Sequence, residues 1–391
     1  MPNDRARDSS IAILERPTAL AIPLLTARLP SLERLAPYLE RIDRNGWYSN
    51  FGPLVQELEM RLGNAFCAKG RAQPHAITVG NGTAGIELAL RALRLPPRAP
   101  VLIPALTFVA TATAVLSAGL TPIVCDVHRK SWLLTPELAA DALRHRPFCA
   151  VVPVAAYGCP QDTDGWSRFH VDTGLPVVID AAAGFGNQME CGPTCSVYSL
   201  HATKPLAAGE GGFVVTRDPK FASNVRQLSN FGINLTDPRV AAIGAVTMVG
   251  TNAKMSEYHA AVGLASLDEW VQNAAHRLAL YRTYTDAVRA IDGLRTEWQE
   301  TPVECVRSTC CLLLDSRRRR DRAESVFRKA GIATRRWYLP LIDRHPAMGN
   351  IPHDPTPVAD DIAERLLGIP FHPKLEERAI DAVISSLSRL V

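Results

Sequence analysis

No apolar run in these 391 residues approaches the ~20 that a helix needs to cross a bilayer. Charge of one sign is scarce too. Against 39 Asp and Glu stand 43 Lys and Arg, and the resulting +4 is too small to argue for nucleic acid or a membrane surface. No separate helix-turn-helix segment stands out, which weakens a DNA-binding regulator further. The nine cysteines form no Cys-x-x-Cys pair. Cys191 and Cys195 come nearest to metal spacing, but they have no second ligand pair and no His cluster, so no metal is expected. Scattered cysteines in odd number suit reduced thiols in a cytoplasmic protein. The first residues include Asp4 and Asp8 and no long apolar core, unlike a secretory signal. Internal repeats and low-complexity segments are missing as well.

What is present has ordinary globular composition, 47% hydrophobic and 21% charged. The length argues for two domains. Residues 1–20 read as a loose lead-in. Ser31 is placed to cap a helix through Leu32, Leu35 and Leu39, which stops at Asn45-Gly46. After the aromatic loop Trp47-Tyr48-Ser49-Asn50-Phe51-Gly52, Pro53 starts a second helix. From His75 onward short apolar strands alternate with helices, as in an α/β domain with a mainly parallel sheet. Near Tyr258 the pattern becomes one long helix through Leu264, Leu267 and Trp270 towards Tyr284. A strand follows at Cys311-Leu314 and then an Arg run, Arg317–Arg320, which reads as a solvated face or as a lure for phosphates.

Chemistry gathers around Ser196–Val215. Lys204 stands between two strand-like runs among small residues, with Gly209, Gly211 and Gly212 close behind. Such glycines let backbone approach a ligand, and a lysine with apolar neighbours suits imine chemistry. A surface lysine on a hairpin fits the same letters. Ligands of open α/β sheets sit at strand carboxyl ends, where three more features fall. Gly82-Thr83 joins a strand to a helix, a place for a phosphate or an ordinary helix cap. Phe108 follows a strand and is either core or a cover for a flat ligand. Asp180 closes the apolar strand Val177-Val178-Ile179, where a carboxylate needs a cationic partner unless it caps a turn.

The order of these features resembles that of pyridoxal-phosphate enzymes of fold type I. More specifically, the chain resembles the nucleotide-sugar aminotransferases of the DegT/DnrJ/StrS family from Gly46 almost to its end. The segments that carry the likeness are GWYSNFGPLVQELE, GNGTAGIELAL, PALTFVATATAVLSAGLTPIVCDV, VVIDAAAGFG, SLHATKPLAAGEGGFVV, GTNAKMSEYHAAVGLASL and LLGIPFHP. The resemblance implies an α/β fold with a large cofactor-binding domain over 21–270 and a smaller C-terminal α/β domain over 271–391. It implies pyridoxal 5′-phosphate held by Lys204 as an internal aldimine, with Lys204 then moving the proton. Asp180 would pair with the ring nitrogen, Phe108 would stack on the ring, and Gly82, Thr83 and Ser199 would hold the phosphate. His201 would line the site. Asn252 and Lys254 would reach into a partner subunit's site, Asn252 on the phosphate, so a homodimer with shared sites is implied. Trp47, Tyr48, Lys254 and Arg336 would lie near the substrate. One departure stands out. The family's Gln or His three residues after the aspartate is Ala183 here.

The expected reaction is transfer of an amino group, from L-glutamate by analogy, to a 3- or 4-keto-deoxy nucleotide sugar. Relatives with His in place of the lysine are dehydratases, whereas this chain keeps Lys204. Two rival readings remain: a dehydratase or lyase using the same site, and a non-catalytic regulatory relative.

Overall fold

The computed structural model describes residues 22–67, 73–189, 192–234 and 243–391; the lead-in expected over 1–20 and Cys191 lie outside them. Among the described residues the apolar runs of the large sheet form seven strands: β1 His75–Val79, β2 Pro100–Pro104, β3 Thr121–Cys125, β4 Ala150–Val151, β5 Val178–Asp180, β6 Cys195–Ser199 and β7 Gly212–Thr216. They hydrogen-bond in the orders β3-β2-β4 and β5-β6-β7-β1. Parallel bridges Val151–Val177 and Val154–Asp180 join the two groups into one sheet. Only β7 runs antiparallel to its neighbours, because the hairpin carrying Lys204 folds it back on β6. Helices cover both faces, so the strands are apolar on both sides. Along β7, Val214 enters one core while Phe213 and Val215 enter the other, the period of two expected of a strand.

The first helix, Leu32–Asn45, is capped by Ser31 and ends on Gly46 in the left-handed region, at φ 61°. The second, Pro53–Ala65, begins after Gly52, which has no side chain to cap it. The Glu257 carboxylate does so instead, accepting the amides of Leu54 and Val55 at 2.8 Å each.

The long helix expected from Tyr258 is two helices, Glu257–Asp268 and Trp270–Arg289, broken at Glu269. The break turns Trp270 onto Phe185, ring centroids 4.7 Å apart. That ring lies where a Cβ on Gly186 would come within 2.3 Å of it.

A second sheet has the order β10-β9-β8, all antiparallel: β8 Thr296–Glu297, β9 Cys310–Leu314 and β10 Leu366–Ile369. Its outer face packs with Leu280, Tyr284, Phe327 and Leu387 in a cluster of its own. From its other face Cys311 and Leu313 join the core of the large sheet. The Arg317–Arg320 run forms the first turn of helix Arg317–Lys329. Arg317 and Arg319 pair with nearby carboxylates, but Arg320 is buried against Asp321. A helical turn has an inward side, and the fourth arginine falls on it. Among the described residues no helix is long and apolar enough to cross a membrane.

Candidate active site

A cavity of about 820 Å³ opens where the parallel strands end. Asp180, the last residue of β5, is only 5% exposed at its floor. Its Oδ2 accepts the Thr111 hydroxyl at 2.8 Å and its Oδ1 the Ala182 amide at 3.1 Å. Both partners are neutral. Burial pushes the Asp180 carboxyl above the usual aspartate range, and Thr111, Ala182 and Lys204 each pull it part of the way back. Lys204 lines the same cavity. Burial pushes its amine below the ordinary lysine value, against the pull of Asp180. A desolvated amine and a desolvated carboxylate therefore share one pocket, an arrangement common at functional sites.

One end of the cavity is built from backbone. Helix Gly82–Ala92 has Asn81 at its N-cap, whose Oδ1 accepts the Ala84 amide at 2.8 Å. The amides of Gly82 and Thr83 lie at the helix start, where an anion is favoured. Ser199, the last residue of β6, faces them: a Cβ on Gly82 would lie 3.0 Å from the Ser199 Cβ. Across the hairpin a Cβ on Gly212 would lie 2.7 Å from the Gly82 nitrogen. Three backbone segments converge because two of them are glycine at the contact.

Phe108 stands at the N-cap of helix Val109–Ser117 and leaves 49% of its surface open. Its ring lies 6.2 Å from that of Tyr338. Tyr338 stacks on Tyr157 at 5.2 Å and 8°, and the Tyr157 hydroxyl donates to the Trp337 carbonyl at 3.1 Å. The C-terminal part of the chain thus supplies one wall, with Ser308, Thr309 and Arg335. At the rim, His201 Nδ1 lies 2.9 Å from the Thr203 hydroxyl, and its Nε2 lies 3.7 Å from Glu210. Ala183 lines the cavity.

Of the residues expected from sequence, Gly82, Thr83, Phe108, Asp180, Ser199, His201 and Lys204 all line this one cavity. Trp47, Tyr48, Asn252 and Lys254 do not. Asn252 and Lys254 lie next to the Gly82 turn, because the Gly80 amide donates to the Ala253 carbonyl at 2.7 Å, and Tyr48 is tied to the helix that follows them, its carbonyl accepting the Glu257 amide at 3.0 Å. There Tyr48 stacks on Tyr258 at 6.3 Å. Lys254 donates to Asn252 Oδ1 at 2.7 Å and sits 4.4 Å over the Phe231 ring. Arg336 is turned outward, held by Glu324 at 2.6 Å and Asp321 at 3.3 Å. Arg335 lines the cavity instead, 4.1 Å over Trp337, with its backbone paired to Gly368.

Thr111 and Tyr157 went unread in the sequence, whereas Tyr338 belongs to Arg335-Arg336-Trp337-Tyr338, a stretch that the family resemblance brings near the site. For Thr111 a signal existed: Thr107 and Thr111 are four apart across a helix start, which puts both hydroxyls on one side. Tyr157 carries no comparable local mark. Among the described residues no group of three or more His, Cys, Asp or Glu is placed to hold a metal.

The residues present fit pyridoxal phosphate. A helix start and a serine suit its phosphate, an exposed aromatic its ring, a buried carboxylate with neutral partners its protonated nitrogen, and a desolvated amine its aldehyde. Residues 32–388 match the family model described as the DegT/DnrJ/EryC1/StrS aminotransferase family. The dTDP-4-amino-4,6-dideoxy-D-glucose transaminase of Escherichia coli is 29% identical over 370 residues, 92% of this chain and 96% of its own. The dTDP-3-amino-3,4,6-trideoxy-alpha-D-glucose transaminase of Streptomyces venezuelae is 30% identical over 383 residues, covering 92% and 96%. Among solved structures, DesI in the presence of its TDP-sugar product has a TM-score of 0.83 at 30% identity, covering 95% of this chain and 94% of its own. Matched along nearly its whole length, and carrying a cavity furnished for the cofactor, the chain belongs to the DegT/DnrJ/EryC1/StrS family and is a pyridoxal-phosphate-dependent aminotransferase.

Proposed function

We propose that the chain transfers an amino group from L-glutamate to a 3- or 4-keto-deoxy nucleotide sugar, giving 2-oxoglutarate and the amino sugar. The observation that carries the amino-transfer chemistry is the desolvated Lys204 amine in one cavity with Asp180 and the Gly82-Thr83 helix start, and the sugar is taken from the dTDP-sugar transaminases the chain is similar to. Bound there, pyridoxal phosphate supplies an electron sink and carries nitrogen between the two substrates. Gly82, Thr83 and Ser199 would hold the phosphate, and Phe108 would cover the ring. Asp180 would favour a protonated ring nitrogen by offering it a charge that its neutral partners leave unmatched. Lys204 would supply the amine that holds the cofactor. Once released, its amine is free to act as base, since burial already disfavours the ammonium. It takes the proton from the carbon that bears nitrogen in glutamate and returns one to the sugar carbon, held in reach of both. Arg335, with no carboxylate partner of its own among the described residues, anchors an acidic group of either substrate.

The same proposal includes a homodimer. Trp47, Tyr48, Phe231 and Tyr258 are each about half exposed beside Asn252 and Lys254, a surface suited to a second copy. From it Asn252 would reach the partner's phosphate site.

The test is the visible spectrum of the purified protein before and after L-glutamate, with Lys204→Ala alongside. Transamination predicts a cofactor band that glutamate bleaches and that a keto-sugar nucleotide restores. The variant should lack the lysine-bound band. A band indifferent to every amino donor would replace this reading with the dehydratase, and a protein that takes up no cofactor would favour the regulatory relative.

A further inference from the structure

Asp180 is oriented by a chain of hydroxyl groups that begins on another element. Thr107 and Thr111 are buried neighbours in the core, 2% and 0% exposed. Their hydroxyl oxygens are 2.9 Å apart, and Thr111 Oγ1 is 2.8 Å from Asp180 Oδ2. A threonine hydroxyl has one proton to give. Facing an ionised carboxylate, which only accepts, Thr111 donates to Asp180; it must then accept from Thr107. The direction of the chain is therefore Thr107 to Thr111 to Asp180. The Ala182 amide occupies the other oxygen at 3.1 Å. Each carboxylate oxygen so has one fixed partner and keeps lone pairs for something else in the cavity. Phe108 lies between the two threonines in sequence and lines the same cavity. One short turn thus carries both an aromatic that faces the ligand space and the hydroxyl that aims the aspartate.

We propose that Thr111 is a positioning residue that holds Asp180 ionised and aimed at the ring nitrogen of the bound cofactor. This rests on the reading of the cavity as the pyridoxal-phosphate site. Thr111 touches no reacting atom and acts only through Asp180. A hydrogen bond to a buried charge is worth more than one between neutral groups, so its loss should be measurable.

The experiment titrates the apoprotein with pyridoxal phosphate and, separately, with 1-deazapyridoxal phosphate, which lacks the ring nitrogen. Thr111→Val keeps the shape and removes the hydroxyl, and Thr111→Ser keeps the hydroxyl. Thr111→Val should weaken pyridoxal phosphate on the order of ten- to a hundredfold and leave the deaza analogue unchanged. Thr111→Ser should restore most of the loss. Equal weakening of both ligands would make Thr111 a packing residue and overturn the inference, as would no effect on either. Should Thr111→Val fail to fold, Thr111→Ser against Thr111→Ala decides the matter by the same comparison. Wild-type apoprotein that binds neither ligand overturns the inference together with the reading of the cavity; wild-type protein that binds both, with Thr111→Val weakening both alike, overturns the inference alone.

Discussion

Asp180 carries its charge where water scarcely reaches it, and the fold bears a cost for that. Burial raises its pKa above the ordinary 3.8, so the folded apoprotein binds the proton more tightly than the unfolded chain does. The cost is full above the folded pKa and vanishes below 3.8. Asp180→Asn removes the charge and keeps the shape. Its apoprotein should melt at a higher temperature than wild type at neutral pH, and the gap should close as pH is lowered towards 3.8. On the proposed function the same variant would lose the partner of the ring nitrogen, and turnover should fall on the order of 10²–10³-fold. Thermal unfolding against pH, with kcat/KM beside it, checks both; a gap that ignores pH would show that the charge is not what the fold bears. Asp180 and Lys204 were legible in the sequence because each is a lone ionisable letter in an apolar run. Arg335 and Arg336 were not separable there. Which of two adjacent arginines faces the cavity depends on the pairing of Arg335 with Gly368, more than thirty residues later in the chain.

At the scale of elements, the hairpin and the helix start hold the proposed phosphate end together by closeness alone. Gly212 sits between Val79 and Ser199 in the sheet, the partners of its two neighbouring strands. A Cβ there would meet the Gly82 nitrogen and the Tyr198 carbonyl oxygen, each at 2.7 Å, and neither can swing aside as a side chain would. Gly212→Ala should therefore push the helix start away from Ser199. We expect a loss of about 1–3 kcal/mol in stability, with a larger relative loss of affinity for pyridoxal phosphate than for pyridoxal without its phosphate. Chemical unfolding and titration of the two ligands separate these effects; equal losses for both would show that the change is not felt at the phosphate. The glycines were visible in the sequence, but which of them mattered was not. Gly209 and Gly211 have positive φ, as turn residues do, whereas Gly212 is needed for what lies opposite it. The break at Glu269 was hidden for a similar reason. Both flanking stretches are helical by period, and the cause of the break, Trp270 on Phe185, lies across the fold.

For the molecule as a whole, a single chain lines the cavity and leaves another set of expected residues outside it. Asn252 and Lys254 are fixed beside the Gly82 turn, yet they face the surface among half-exposed aromatics. If a second copy covers that surface, each site is made by two chains, and defects in different chains can complement one another. Lys204→Ala removes the amine from a chain's own cavity, while Asn252→Ala would cripple the cavity of its partner. Each variant alone should be nearly inactive. When the two are unfolded together, mixed in equal amounts and refolded, half of the dimers contain one chain of each kind. In such a dimer both defects fall on one site and the other site is intact. Activity should then return to about a quarter of wild type, the share of intact sites in a random mixture of two-fold dimers. If every site draws only on its own chain, each site in the mixture carries one defect, and mixing restores nothing.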